Sequence, residues 1–306
     1  MIQSERPILV LGATGQQGGS VAHCLLAGGW NVRALSRDPS TQAARELQAS
    51  GVQLVAGDMN DRGTLELAMR DAHGVFSIQP TEGGLGTPAG YTVDDELRLG
   101  EAVAEAAAAA GVDHFVYSSV AGAERDHGIS RWRSKWLIEQ RIAELGLPAT
   151  VLRPVRFMEN HADDRYGVKG DVLTDVFNPD VPVQLIAVSD IGAIAGLAFG
   201  SPQEYLARAI EIAGDELPMP RIVEEISRAT GRRIEYRQLT REVVEGIGGD
   251  ALAGYRIANE HGGWQADIPA LRELHPQMMR HSDWLEQVGQ QLFSRLFARQ
   301  AATTGT

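Results

Sequence analysis

The chain has 306 residues, 43% of them hydrophobic and 22% charged, with a net charge of −12. Those values fit a globular protein of about two domains, and the acidic balance disfavours nucleic-acid phosphates and anionic membranes as partners. A single cysteine, Cys24, excludes an intramolecular disulfide and a thiolate metal site.

The opening "MIQSERPILVLG" runs into an apolar strand without the basic start and long apolar core of a signal peptide. No uninterrupted apolar run of about 18 residues follows, so no membrane span and a cytoplasmic location are expected. Strands are predicted at 8–11, 31–36, 52–56, 75–78, 115–118 and 149–153. Helices are predicted between them at 15–26, 41–49, 62–70, 93–110 and 132–145. Six βα-type repeats at this spacing predict an α/β fold, a doubly wound parallel sheet of Rossmann type.

Beyond Arg153 the rhythm breaks. "NPDVPVQLIAVSDIGAIAGLAF" reads as a strand pair and a return helix, and "YLARAIEIAGDELPMPRIVEEISRATGRRIEYRQL" as strand, helix, strand. Pro218 and Pro220 precede that helix, where proline is tolerated. Residues 241–299 read as mostly helical and the tail "QAATTGT" as disordered. The expected division is a dinucleotide-binding domain over 1–153 plus about 184–200. A smaller C-terminal α/β subdomain, the lid, then takes about 154–183 and 201–306.

The first strand ends in "LGATGQQGGS", where Gly12, Gly15 and Gly18 form G-x-x-G-x-x-G. Gly12 permits the tight turn, Gly15 the approach of a pyrophosphate, and Gly18 close helix–strand packing. The phosphate rests on the helix N-terminus, among amides without acceptors, with Thr14, Gln16 and Gln17 completing that face. NAD sites carry an acid at the end of the second strand; here "NVRALSRDPS" ends in Ser36 and Arg37. A guanidinium there suits a 2′-phosphate, so NADP(H) is favoured over NAD(H), with Asp38 a competing ribose ligand one residue late. Asp58 in "AGDMND" binds the adenine amine or serves as a turn or cap residue. Met59 and Gln79 join the expected cofactor set. No H-E-x-x-H, paired cysteines or histidine cluster points to a metal, and no serine-hydrolase elbow is present.

Together "GATGQQGGSVA", "VRALSRDP", "AGDMND", "GVFSIQP", "LRPVRFMEN", "VQLIAVSDIGAIA" and "EIAGDELPMPRIVEEISRATGR" resemble the NmrA-like branch of the short-chain dehydrogenase/reductase superfamily. The resemblance spans nearly the whole chain. It implies a nicotinamide-binding Rossmann domain with a small C-terminal domain. It also implies one of two fates: an NAD(P)H-dependent reductase, notably of quinones, or a non-catalytic redox sensor that binds a protein partner.

The superfamily's catalytic pair is Tyr-x-x-x-Lys. Here "RWRSK" keeps the lysine, Lys135, and puts Arg131 where the tyrosine would stand. Reducing a simple ketone makes an alkoxide about as basic as hydroxide, with a conjugate-acid pKa of ~15.7; reducing a quinone makes a phenolate, pKa about 10. The gap of about 6 units is on the order of 8 kcal/mol, so quinone reduction suffers least from the loss of a proton donor. Lys135 is expected to anchor the nicotinamide ribose and Arg131 to stabilise an oxyanion. Ser118 or Ser119 hydrogen-bonds a substrate oxygen, or acts only as a cap. Trp132 and Trp136 line a flat aromatic slot or pack the core. Phe157 and Met158 lie near the nicotinamide, and Asn160 and His161 contact substrate unless the histidine is structural. The loop "PTEGGLGTPAGY" is a mobile flap or a plain surface loop. The predicted activity is an NAD(P)H-dependent oxidoreductase reducing a quinone or related aromatic carbonyl. The hydroquinone's reaction with oxygen would let it support flavin-free monooxygenation of a polyketide-like aromatic. The alternative is the redox sensor with a protein partner, and a homodimer is left open.

Overall fold

The structure is a computed structural model that describes residues 4–84, 87–125 and 127–304. In its first half β1 (Ile8–Val10), β2 (Val32–Ser36), β3 (Gln53–Ala56), β4 (Gly74–Ser77), β5 (His114–Ser118) and β6 (Ala149–Pro154) alternate with helices. These are α1 (Gln16–Ala27), α2 (Gln42–Ala49), α3 (Arg62–Met69), α4 (Val93–Ala110) and α5 (Ser130–Glu144). Every residue of β1, β4 and β5 is buried, whereas edge strand β3 is half exposed. A strand covered on both faces reads as a continuous apolar run, which is why "ILV" and "VF" announce themselves in the sequence.

β7 (Arg156–Phe157), a 3₁₀ turn (Met158–Ala162), β8 (Val172–Asp175) and β9 (Pro182–Ile186) follow. Next come α6 (Val188–Gly200), α7 (Pro202–Tyr205), β10 (Arg208–Ile212), β11 (Asp215–Pro218), α8 (Met219–Thr230) and β12 (Glu235–Gln238). The chain ends in α9 (Arg241–Ile247), α10 (Gly249–Asn259), α11 (Ile268–Leu274), α12 (His281–Trp284), a π segment (Leu285–Gly289) and α13 (Gln290–Thr304).

The seven-stranded sheet has the order β10-β6-β5-β4-β1-β2-β3. All neighbours from β3 through β6 are parallel. The order reverses at β1, whose flanking strands are β2 and β4. In a doubly wound sheet the crevice at that reversal, beyond the carboxyl ends of the strands, is where ligands bind. The helices are set by local signals. Thr41 caps α2 through Ala44 N, and Asp61 caps α3 through Gly63 N and Thr64 N. Thr92 and Asp95 form a capping box at α4, which Gly111 closes in the left-handed conformation. Such caps are worth about 1 kcal/mol each.

The chain divides into two units. One holds the residues up to Glu124, then Ser130–Arg153 and Ile191–Ile210; the other holds Arg125–Ile129, Pro154–Asp190 and everything from Glu211 onward. The expected boundaries differ from these at 125–129 and 184–190, which fall in the second unit, and at 201–210, which fall in the first. The second unit has a three-stranded sheet, β11-β9-β7, and a parallel pair, β12-β8. Its core gathers Met158, Leu173, Leu185, Ile222, Ile226, Trp284, Phe293 and Leu296.

Three expectations are corrected here. The stretch from Asn178 to Phe199 contains one strand, β9, because that strand's partners, β7 and β11, both lie outside the stretch. The Asp215–Pro218 segment, with two acids and a proline, forms β11 because β9 offers it an antiparallel hydrogen-bonding edge. The tail is helical through Thr304, with residues 305–306 outside the described part. It is held because Gln300 Nε2 donates to Val168 O at 2.8 Å and Gly170 N donates to Gln300 Oε1 at 3.1 Å.

The first unit also carries a buried titratable group. His114, 1% exposed on β5, donates from Nε2 to Thr150 Oγ1 at 2.8 Å, since the Thr150 hydroxyl proton is given to Tyr205 O. Its Nδ1 has no partner among the described residues. Burial, with His73 nearby, pushes its pKa down to about 4. The unfolded chain takes up a proton below about 6.5 that the folded protein refuses until about 4. The contribution is therefore complete above pH 6.5 and is lost as the pH falls, by at most about 1.4 kcal/mol per unit. Denaturant titrations at pH 7.5 and 5 should show a smaller acid-side loss in His114→Gln than in the parent. Equal slopes in the two proteins would contradict this account.

Candidate functional site

The turn after β1 is built from backbone. Gly12 sits at φ +64, a left-handed conformation that suits glycine, and its carbonyl accepts from Gly15 N at 2.9 Å. A Cβ on Gly18 would stand 2.4 Å from Gly12 O and 2.7 Å from Leu11 O. Helix and strand are therefore in contact there with no room for a side chain. Unlike α2, α3 and α4, helix α1 has no side-chain cap, and it has no acid in its first turn. Its leading amides remain open donors at the positive end of the helix dipole, an arrangement that accepts an anion. Thr14, Gly15 and Gln16 are exposed, and Gln17 is half-buried.

At the end of β2, Ser36 is buried and Arg37 is exposed. Arg37 makes no hydrogen bond or ion pair with a described residue, though its charge reaches Asp58. The competing Asp38 is engaged: its Oδ1 accepts from Ser40 N at 2.8 Å and Ser40 Oγ at 2.6 Å, which hold its pKa down. Asp58 is engaged too. Its Oδ1 accepts from Asn60 N at 2.8 Å and Nδ2 at 2.7 Å. The Asn60 amide is the main cause of its lowered pKa, with Arg37 contributing less. The carboxylate therefore organises the turn after β3. Met59 packs against the first unit's core. Gln79, 4% exposed beyond β4, donates to Ser77 Oγ at 3.0 Å, while its Oε1 is buried without a partner among the described residues.

These features fit a dinucleotide. A backbone cradle, an uncapped helix end, an uncommitted arginine and an orphaned buried amide oxygen all lie at carboxyl ends of adjacent strands.

On α5, Lys135 is 8% exposed, and its Nζ donates to Glu96 Oε1 at 2.6 Å. Glu96 has no exposed surface. It also accepts from Thr81 Oγ1 at 3.1 Å and, on Oε2, from Ser134 Oγ at 3.0 Å. Arg131 and Trp132 occupy the first turn of α5, both half-buried. Ser118 is committed to Gln17 Oε1 at 2.7 Å, and Ser119 to Glu139 Oε1 at 2.5 Å. Glu139 in turn receives the Arg153 guanidinium, at 3.1 and 2.6 Å, and Arg153 lies 5.8 Å from the centre of the Trp136 ring. Of the two roles open to Trp136, the structure gives it packing beneath a structural arginine.

The other expected substrate residues lie in the second unit. Phe157 is half-buried on β7, and Asn160 is half-buried in the 3₁₀ turn. Met158 and His161 need correction: both are 0% exposed, so neither offers a surface to a substrate. Met158 belongs to that unit's core, and His161 lies edge-on to His281 with ring centres 5.7 Å apart. The apolar neighbours of "FMEN" draw this segment inward.

Two acids were missed by the sequence reading. Glu96 continues the buried stripe of α4 with Leu99, Gly100, Val103 and Ala107. A carboxylate at a core position of that stripe is the signal for a buried cation partner. Glu159 is the other. Burial raises its pKa to about 7 even though Val188 N, 3.2 Å from each oxygen, and Trp284 Nε1, at 3.0 Å, donate to it. Its contribution to stability is present below pH 4.5 and is lost as the pH rises through 7, opposite in sign to that of His114.

Of the flap loop, residues 85–86 lie outside the described part. Its flanks are tied by Gly84 N to Thr81 O at 2.7 Å and Thr87 Oγ1 to Thr81 O at 2.9 Å. Among the described residues no helix is long and apolar enough to cross a membrane, and no group of three or more His, Cys, Asp or Glu could hold a metal.

A model of the NmrA-like family matches residues 4–285. A (4-alkanoyl-5-oxo-2,5-dihydrofuran-3-yl)methyl phosphate reductase of Streptomyces griseus is 34% identical over 240 residues, covering 76% of this chain and 77% of its own. An NAD(P)H azoreductase of Xenophilus azovorans is 32% identical over 240 residues, covering 77% and 78%. Among solved structures, NmrA, a negative transcriptional regulator, in complex with NADP, superposes with a TM-score of 0.76 at 25% identity, covering 93% of this chain and 96% of its own.

Proposed function

The chain belongs to the NmrA-like family, and on that premise we propose an NAD(P)H-dependent oxidoreductase whose acceptor is a quinone or related conjugated aromatic carbonyl. The observation that carries this reading is Lys135 fixed near the head of α5, with Arg131 rather than a phenol acid four residues before it. A nicotinamide dinucleotide, when bound, would supply a hydride. The amides opening α1 would hold its diphosphate, Arg37 its 2′-phosphate, and the Gln79 oxygen a polar edge. Lys135 directs an N–H at the ribose, Arg131 lowers the energy of a developing oxyanion, and Trp132 presents a flat wall. With no tyrosine to protonate an alkoxide, the site favours acceptors that spread the incoming electron pair over a conjugated system and take their proton from solvent. The two reductases named above support this, since an azo group and a furanone ring bearing an acyl group are both conjugated acceptors.

Purified protein with NADPH and a set of naphthoquinones and azo dyes should lose absorbance at 340 nm above background. No loss with any acceptor would sink the reading. Oxygen uptake in the same mixtures would add the oxygenation step.

Arg37→Ala should weaken NADP⁺ binding about 10- to 100-fold, the worth of a charge-assisted hydrogen-bond pair, and leave NAD⁺ within about twofold. Calorimetry with both coenzymes decides this, and equal losses would remove Arg37 from the 2′-phosphate.

A sensor reading is favoured by one observation, the commitment of Ser118, Ser119 and Lys135 to protein partners, and by the likeness to a transcriptional regulator. Tight NADP⁺ binding without turnover, together with cofactor-dependent capture of a protein partner, would select it.

A further inference from the structure

We infer that Glu96 is the positioning residue of the reductase site, holding the Lys135 ammonium in one direction and tying it to the loop after β4. The inference rests on the proposed role of Lys135 at the cofactor.

Three side chains from two segments meet on this carboxylate. Lys135 and Ser134 reach it from α5, and Thr81 reaches it from the loop that follows β4 and Gln79. Two of those bonds fall on Oε1 and one on Oε2, so both oxygens are committed and the carboxylate cannot turn without losing a partner. Thr81 O in turn accepts from Gly84 N and Thr87 Oγ1, so the loop's flank and the lysine share one anchor. Two further hydroxyls, those of Tyr91 and Tyr117, are buried without a partner among the described residues, and both feel the Glu96 charge. Glu96 is therefore the electrostatic centre of a polar island within an apolar layer.

A core that needed only filling would be served equally well by two apolar side chains, because a buried ion pair seldom adds net stability over its hydrophobic replacement. What the pair adds is direction. One ammonium proton is spent on Glu96 at 2.6 Å, and the remaining two are thereby aimed. The charge near the acceptor is also compensated, so Lys135 acts as an oriented hydrogen-bond donor rather than as a bare cation.

The test compares Glu96→Ala, Glu96→Gln and Ser134→Ala with the parent protein, each checked for a cooperative thermal melt. Glutamine keeps an oxygen for Lys135, so the expected order is graded. In Glu96→Ala, kcat with NADPH and a naphthoquinone falls at least 30-fold while KM for NADPH rises less than tenfold. Glu96→Gln recovers most of the loss, and Ser134→Ala loses a few-fold. In parallel, reductive methylation of Lys135 is read by mass spectrometry. It should run at least tenfold faster in Glu96→Ala than in the parent and at an intermediate rate in Glu96→Gln. Folded Glu96→Ala with parental kcat and parental labelling would overturn the inference. If Glu96→Ala does not fold, the other two variants carry the same comparison, and parental behaviour in both overturns it. If the parent reduces no acceptor, the reductase reading falls, and the labelling rates alone decide whether Glu96 holds Lys135.

Discussion

Lys135→Met should lose at least 100-fold in turnover and, separately, about 3–5 kcal/mol of stability. The second effect comes from the geometry around Glu96. That carboxylate has no exposed surface, and Lys135 is its sole cation at ion-pair distance among the described residues. Methionine matches the lysine stem but leaves the carboxylate with only the Thr81 and Ser134 hydroxyls. Stripping one member from a buried ion pair carries a cost of about that size. The first effect follows from the role proposed for Lys135 as an oriented donor at the reacting end of the cofactor, since one positioned group contributes roughly 10²–10⁴-fold. The two effects separate in the double variant Lys135→Met/Glu96→Leu. Removing both charges should restore most of the stability while leaving turnover lost, as a double-mutant cycle would report. Denaturant melts and NADPH oxidation measure the two arms. A single variant as stable as the parent, or as active, would refute the assignment.

Gly18→Ala should reduce dinucleotide affinity on the order of 100-fold, and do so through backbone alone. The added methyl carbon would stand 2.4 Å from Gly12 O and 2.5 Å from Gly12 C. Those are backbone atoms of the turn and have no side-chain freedom with which to yield. α1 must therefore shift away from the end of β1, carrying its open amides with it, and displacements of about 1 Å in a positioning group can cost roughly 100-fold. Overpacking adds about 1–3 kcal/mol of destabilisation. Gly28→Ala is the control. It lies at the other end of the same helix with φ −75, and the nearest atoms to its Cβ are 3.4 Å away. That variant should bind and melt like the parent. Calorimetry with NADP⁺ settles both, and undiminished binding by Gly18→Ala would remove the turn from the cofactor site.

How much of this could be read from residues alone varied with the reach of the interaction. The strands of the first unit were visible because burial on both faces leaves unbroken apolar runs such as "ILV" in β1 and "FVYS" in β5. Helix α4 was placed at its observed bounds, and in the structure Thr92 and Gly111 mark its ends by local chemistry. β11 was invisible: "DELP" has no strand pattern, and only the edge of β9, some 30 residues earlier, makes it one. The site divides in the same way. The glycine turn is written in seven consecutive residues, Gly12 to Gly18. Lys135 is legible by register, but Glu96, which holds it, lies 39 residues away on another helix. The two tryptophans of α5 look equivalent in sequence. Register alone does not show that Arg153 lies over Trp136. Met158 and His161 looked like pocket residues only while the second unit's core could not be seen closing over them.

The chain passes from one unit to the other at five points, after Glu124, Ile129, Arg153, Asp190 and Ile210. Neither body is thus a continuous stretch of gene, and no single cut releases either one whole. A new specificity cannot arrive in such a protein by recombining an intact cassette. It has to accumulate by substitution in place, under the constraint that each of five crossings stays compatible with both halves.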